Sequence, residues 1–366
     1  MGLLFDVVVS TMQVENEVGM LPSARDASAA ADARFAAPVP TALSDYLVSH
    51  HAGLVPELRA LWEKNGAKTA GSWASLFGAG PAGEGVFMAW FFARYVDAVA
   101  DAGKAVYALP LFANVALNRP GEYPSGGPLP HLLDIWKAGA PALDFLSPDI
   151  YFPNFVEIVG RYARPDNPLF IPEANRARLP EAGANAFFAV GEHDALGFSP
   201  FAIDAVDEPE KSRLALAYGV LNELAPTLLA ARGVARTRGF RPPVNYDGTL
   251  NDAPQTITLG DFTFTVSFID RWTARSEQHV ESHGGLLVQL GPEEYLAAGS
   301  GFSLEVAPAL AGAPRAGIES VWEGRFVAGR WVPGRLLNGD ETHQGRLLLM
   351  PRTGFGVQRL KLYRYR

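Results

Sequence analysis

A change of texture near residue 240 constrains this chain more than any other feature. Up to about residue 238, short apolar runs alternate with longer helical patterns. That alternation is the mark of parallel strands joined by crossover helices, an α/β arrangement. Strands are expected at Val7–Val18, Ala105–Ala116, Leu143–Tyr151, Leu169–Ala174 and Ala195–Ile203. Helices are expected at about 41–64, 87–102, 130–139, 154–163, 181–190 and 210–231, with the Ala-rich stretch at 27–37 read as an exposed loop or frayed helix. Beyond Arg241-Pro242-Pro243 the period shortens to two, as in Thr256-Ile257-Thr258-Leu259 and Phe262-Thr263-Phe264-Thr265-Val266. Further runs at Gly285–Leu290, Phe302–Val306, Ile318–Val327 and Arg346–Leu349 are separated by turn residues, the pattern of a sandwich or jelly roll. With 366 residues, 48% of them apolar, the chain exceeds what one hydrophobic core supports. Two domains are therefore expected, 1–238 as α/β and 239–366 as all-β.

Charge and cysteine content narrow the function classes. A net charge of −8 argues against a general electrostatic hold on nucleic acid or on a membrane surface. No run approaches the ~18 continuous apolar residues of a membrane span, and no basic stretch precedes Val7-Val8-Val9, so no signal peptide is expected. The absence of cysteine excludes disulfides and thiolate catalysis and leaves the compartment open.

The segment Val7 to Gly19, VVVSTMQVENEVG, is unusual for a buried strand. Alternation places Gln13, Glu15 and Glu17 on one face and Val8, Met12 and Val14 on the other. Carboxylates there cost several kcal/mol unless they face a polar cavity, as at the C-terminal end of a barrel strand. The plain alternative is that Glu15 and Glu17 open a solvent-exposed loop. Asn16 weighs against it, because an Asn beside a Glu at a strand end can hold a sugar hydroxyl while the Glu protonates the glycosidic oxygen. A second apolar run, Leu169-Phe170-Ile171-Pro172, also stops at a carboxylate, Glu173; a salt bridge to Arg176 or Arg178 is the alternative. Paired carboxylates are what glycoside hydrolysis requires, one protonated to assist departure and one ionised to attack.

Gln13-Val14-Glu15-Asn16-Glu17-Val18-Gly19 resembles the acid/base motif of glycoside hydrolase family 35, the β-galactosidases. Gly284–Gly291, Glu323–Val327 and Leu337–Arg346 resemble the C-terminal β domain of a bacterial subgroup of that family. The resemblance implies an incomplete (β/α)8 TIM barrel, strands four to eight, followed by a sandwich-like domain. It makes Glu17 the general acid/base, Glu173 the nucleophile and Asn16 a ligand of the sugar 2-hydroxyl, with Tyr151 hydrogen-bonding the nucleophile. The implied reaction is retaining release of terminal β-linked galactose, without a cofactor. At about 30 residues per strand-helix unit, roughly 90 residues for strands one to three would precede strand four. The chain is therefore expected to be a fragment, an open half-barrel with two exposed edges prone to self-association and impaired as an enzyme.

Other residues divide between site and scaffold. Glu15, Asn114 and Asn154 lie on the expected functional rim as substrate ligands, and Trp73, in loop-like Gly71-Ser72-Trp73, is a candidate stacking platform. Trp90 and Trp136 could also stack on a sugar ring, but Trp90, within the apolar stretch Phe87–Phe92, reads as core. His193 fits no common metal-ligand spacing and is assigned to a turn, and no metal is expected. Asp204, Asp207, Glu208 and Glu210 read as a loop and an acidic helix start. Trp272, Trp322 and Trp331, with the basic end Lys361–Arg366, could make a carbohydrate-binding or polyanion site, but core packing and a snorkelling edge strand are the expected reading. Two other functions fit the same residues: a non-catalytic carbohydrate-binding or assembly fragment, and a related β-glycosidase acting on another sugar.

Overall fold

A computed structural model of the chain describes residues 10–19, 23–118, 126–234, 236–309 and 315–365. Residues 7–9 of the first expected strand lie outside the described residues.

Five strands, β1 (Met12–Gln13), β2 (Leu111–Ala116), β3 (Phe145–Ile150), β4 (Phe170–Ala174) and β5 (Gly197–Pro200), form one sheet in sequential order. Its β1–β2 and β2–β3 pairs are parallel. Sequential order with helices between strands is the α/β pattern expected of the first part of the chain, and it is consistent with an incomplete barrel. The connecting helices are α1 (Ala29–Ala36), α2 (Thr41–Ser49), α3 (Pro56–Lys64), α4 (Trp73–Phe77), α5 (Pro81–Val106), α6 (Leu133–Gly139), α7 (Phe155–Tyr162), α8 (Ala182–His193) and α9 (Arg213–Ala231). The single helix expected at 41–64 is two, because Pro56 starts α3 and carries no N–H to continue α2. Helix α1, at the Ala-rich stretch, buries no residue.

The chain divides into two compact units, Met1–Ile150 with Arg161–Pro172, and Tyr151–Gly160 with Glu173–Arg366. In the first, Trp73, Phe77, Phe87 and Phe91 form an aromatic cluster between α4 and α5, with the Trp73 and Phe87 rings edge-on at 5.3 Å. Buried Asp134 on α6 accepts from the Val55 N–H at 2.6 Å and pairs with Arg164 at 2.9 Å, tying the loop before α3 to α6.

The second unit is built on antiparallel strands: β6 (Thr237–Phe240), β7 (Gln255–Leu259), β8 (Phe262–Ser267), β9 (Gly284–Gln289), β10 (Glu294–Ser300), β11 (Ser303–Pro308), β12 (Arg315–Val327), β13 (Arg330–Leu336), β14 (Leu347–Leu349) and β15 (Gly356–Tyr365). They form a six-stranded sheet, β13-β12-β15-β10-β9-β6, and a four-stranded sheet, β14-β11-β8-β7. Phe240, Phe262, Phe264, Phe268, Tyr295 and Leu360 share one core from both sheets. Helix α8 lies directly on β6 and β9: a Cβ at Gly191 would come within 2.6 Å of Leu286, and one at Gly239 within 2.5 Å of the Glu192 backbone.

Two expectations need correction here. Strand β15 is central rather than an edge, paired with β12 on one side and β10 on the other. Its basic residues are matched by acids on neighbouring segments, Arg359 with Glu294 at 2.7 Å and Lys361 with Glu319 at 2.8 Å, while Leu360 and Leu362 point into the core. Trp272 and Trp322 are not core residues, being 58% and 37% exposed. Among the described residues, α9 alone is long and apolar enough to cross a membrane by length and composition. Within its own unit, however, Leu214, Ala217, Leu221 and Leu224 are buried, Pro226 sits mid-helix, and Glu223 accepts the Phe326 N–H at 3.0 Å. The helix thus packs along one face within its unit, while Leu216 and Leu229 on other faces stay exposed.

Candidate active site

Strand β1 is brief because its register ends after two residues. The Met12 N–H donates to Pro110 O at 3.0 Å and the Val14 N–H to Phe112 O at 2.8 Å, after which the backbone turns away. Glu15 and Glu17 have φ values of 61° and 50°, in the left-handed region. Gln13, Glu15 and Glu17 are therefore not one face of a strand. They belong to a tight bend, held by side chains, with two non-glycine residues at a cost of about 1 kcal/mol or more each.

Asn114, expected as a substrate ligand, is the hub of that bend. It is buried on β2, and its Oδ1 accepts the Glu17 N–H at 3.0 Å. Its amide donates to Asn16 Oδ1 at 3.1 Å and to Asp149 Oδ2 at 2.7 Å. Both amide hydrogens are thus engaged within the protein, and Asn114 acts by positioning its neighbours. Gln13 adds donations to Glu15 O and Asn16 Oδ1, each at 2.9 Å. Glu15 accepts from the Tyr95 hydroxyl at 2.7 Å, and this carboxylate raises the exposed phenol's pKa.

Asp149 was not singled out from the sequence. It sits buried near the C-terminal end of β3, and its carboxylate and that of Glu17 lie within 4.8 Å of each other. The available signal was an acid inside an otherwise uncharged six-residue strand, Phe-Leu-Ser-Pro-Asp-Ile. An acid buried there has no packing reason to be retained.

In the second unit, Glu173 stands one residue before the end of β4, half-buried. The Tyr151 hydroxyl donates to its Oε2 at 2.6 Å, the contact expected between these two residues. Edge-on packing of the Tyr151 ring against Phe201 at 6.0 Å fixes the phenol, and the Phe201 N–H donates to Ala174 O at 2.9 Å, locking the strand end. Among the described residues, neither Arg176 nor Arg178 forms an ion pair with Glu173.

Trp73 is placed differently from expectation, while Asn154 lies just beyond β3, directly before α7. Asn154 is 8% exposed and donates to Glu157 Oε2 at 2.9 Å, one turn along α7. Its Oδ1 is buried with no partner among the described residues. Trp73 is 1% exposed inside its aromatic cluster, so its ring has no face to offer a sugar. Gly71 lets the chain enter α4 at positive φ, and Ser72 caps that helix by accepting the Ser75 N–H. These two residues suggested a loop at Trp73, but they mark a helix start. His193 ends α8, edge-on to Phe188 at 5.4 Å, and burial lowers its pKa.

Residues 214–349 are similar to a domain of unknown function, DUF5597. That segment runs from α9 to β14 and contains neither Glu17 nor Glu173. No curated protein matches the chain.

Proposed function

We propose that the chain carries the catalytic pair of a retaining glycoside hydrolase acting on terminal β-linked galactose, with β1–β5 as strands four to eight of a (β/α)8 barrel. The observation that carries this reading is the Tyr151 hydroxyl held on Glu173 Oε2 at the C-terminal end of a parallel strand. Barrel enzymes place their chemistry at that end. The Glu15–Glu17 bend follows another strand of the same sheet, braced by Asn114.

In this reading a Glu173 carboxylate oxygen attacks the anomeric carbon while Glu17 gives its proton to the departing glycosidic oxygen. The carbon–oxygen bond to the aglycone breaks and a glycosyl ester to Glu173 forms. Glu17, now ionised, takes a proton from water, whose oxygen displaces Glu173 and releases the sugar with its original configuration. Asn16 holds the 2-hydroxyl, and no cofactor is required.

The test is Glu173→Gln with p-nitrophenyl β-galactoside as substrate. Turnover should fall by about a thousandfold or more. With the smaller side chain of Glu173→Gly, azide should restore p-nitrophenol release and yield the α-galactosyl azide. Unchanged turnover in Glu173→Gln, or a β-configured azide product, would contradict the assignment.

A further inference from the structure

One face of the β domain is unlike the rest of this acidic chain. A cavity of about 550 Å³ there is lined by Arg271, Arg315, Arg346, His343, Glu305 and Tyr365, among others. Three guanidiniums face one carboxylate, in a protein whose net charge is −8. A second cavity, about 530 Å³, shares Arg271 and Glu305 with the first and extends past Trp272. Arg271, Glu305 and Leu347 border both cavities, which adjoin along one groove-like stretch of the surface.

The groove also carries an aromatic wall. Trp272 is 58% exposed, and its ring stacks on His343 at 4.8 Å with 16° between planes. The Arg271 guanidinium lies over the same indole, 4.8 Å from its centroid. An exposed tryptophan ordered by both a histidine and an arginine is set in place before any ligand arrives, which lowers the entropic cost of binding.

Much local structure holds His343 there. His343, Gln344 and Gly345 take φ values of 48°, 54° and 75° in succession. Two non-glycine residues in the left-handed region need compensation. Asn338 Oδ1 supplies part of it by accepting the Asp340 and Glu341 N–H groups at 2.9 and 3.1 Å, while Glu341 Oε2 accepts the Asn338 N–H at 2.9 Å. The Arg346 Nε donates to His343 O at 3.0 Å. Among the described residues Arg315 and Arg346 form no ion pair, and Arg271 reaches Glu305 only at 3.8 Å.

We infer that this groove binds a saccharide bearing carboxylate groups. Guanidinium forks match a carboxylate's two oxygens, and the exposed part of the Trp272 indole offers apolar surface beside them for a sugar ring. Glu305 and Asp270, on the same groove, accept from sugar hydroxyls but repel a densely charged polyphosphate, so a uronate-containing glycan fits better than nucleic acid. The inference holds whether or not Glu173 is a nucleophile.

Isothermal titration of the full chain with tri-galacturonate, and with a neutral galactose trisaccharide as control, tests it. Saturable binding of the acidic sugar alone is expected, weakened by added salt. Arg315→Gln and Trp272→Ala, both at exposed positions, should each weaken it by about tenfold or more with the thermal midpoint unchanged. Equal binding of the neutral sugar, binding of inorganic phosphate in place of the uronate, no uronate binding at millimolar concentration, or full affinity in both variants would overturn the inference.

Discussion

Asn114 concentrates several roles in one buried amide. It holds the Glu17 N–H, the Asn16 side chain and the Asp149 carboxylate, joining a bend after β1 to β3 through the strand between them. Replacing it by Ala removes its amide donation to the buried Asp149 carboxylate, at a cost of about 2–3 kcal/mol. The Glu17 amide in Asn114→Ala should also lose its protection from hydrogen exchange, while amides in the β domain keep theirs. Wild-type stability and wild-type protection at Glu17 would show that Asn114 does not organise the bend. Only part of this arrangement was legible beforehand. The residue types of Gln13–Glu17 pointed to a polar site, but alternation along a strand was the wrong geometry, because left-handed backbone at Glu15 and Glu17 leaves no mark in side-chain pattern. The Tyr151 contact with Glu173 was expected only through the family resemblance, not from the residue pattern around it. The place of Trp73 was not legible, because glycine and serine before a helix resemble a loop until the caps are seen.

At the level of elements, apolar runs located β2 to β5 and most sandwich strands, while strands carrying small residues escaped. The sequence of β10, Glu-Tyr-Leu-Ala-Ala-Gly-Ser, has little intrinsic strand preference. It is a strand because close packing excludes larger residues: a Cβ at Gly299 would lie 2.3 Å from Gly284 O. The approach to β9 is equally tight. His283 there is 2% exposed, its Nδ1 is 2.9 Å from Phe268 O, and Gly301 packs against its ring. Its pKa is lowered to about 4, chiefly by burial and in smaller part by Arg352 and Arg213, against the opposing Phe268 carbonyl and Glu281. Folding therefore excludes a proton that the unfolded chain binds below its ordinary value near 6.5. The resulting stability is intact above that pH, declines as pH falls through the interval, and is lost below about 4, where the full effect is roughly 3 kcal/mol. Burial moves His131 and His193 in the same direction. In urea titrations between pH 7 and 4, His283→Gln should show a smaller decline of the unfolding midpoint than wild type. Parallel declines would contradict the buried neutral imidazole.

For the whole molecule, the change of period near residue 240 foretold an α/β sheet followed by antiparallel sheets, and β6 begins the second pattern at Thr237. Long-range pairing was illegible, since nothing local places β15 between β12 and β10. Strands β1 and β4 belong to one five-stranded sheet, and we propose that Glu173, near the end of β4, forms a covalent bond to substrate. Incubation with 2-deoxy-2-fluoro-β-D-galactosyl fluoride, followed by intact-mass and peptide mass spectrometry, tests that bond directly. One fluorogalactosyl group per chain is expected, on the peptide containing Glu173 and absent in Glu173→Gln. A label on another carboxylate, or undiminished labelling of Glu173→Gln, would contradict the proposal.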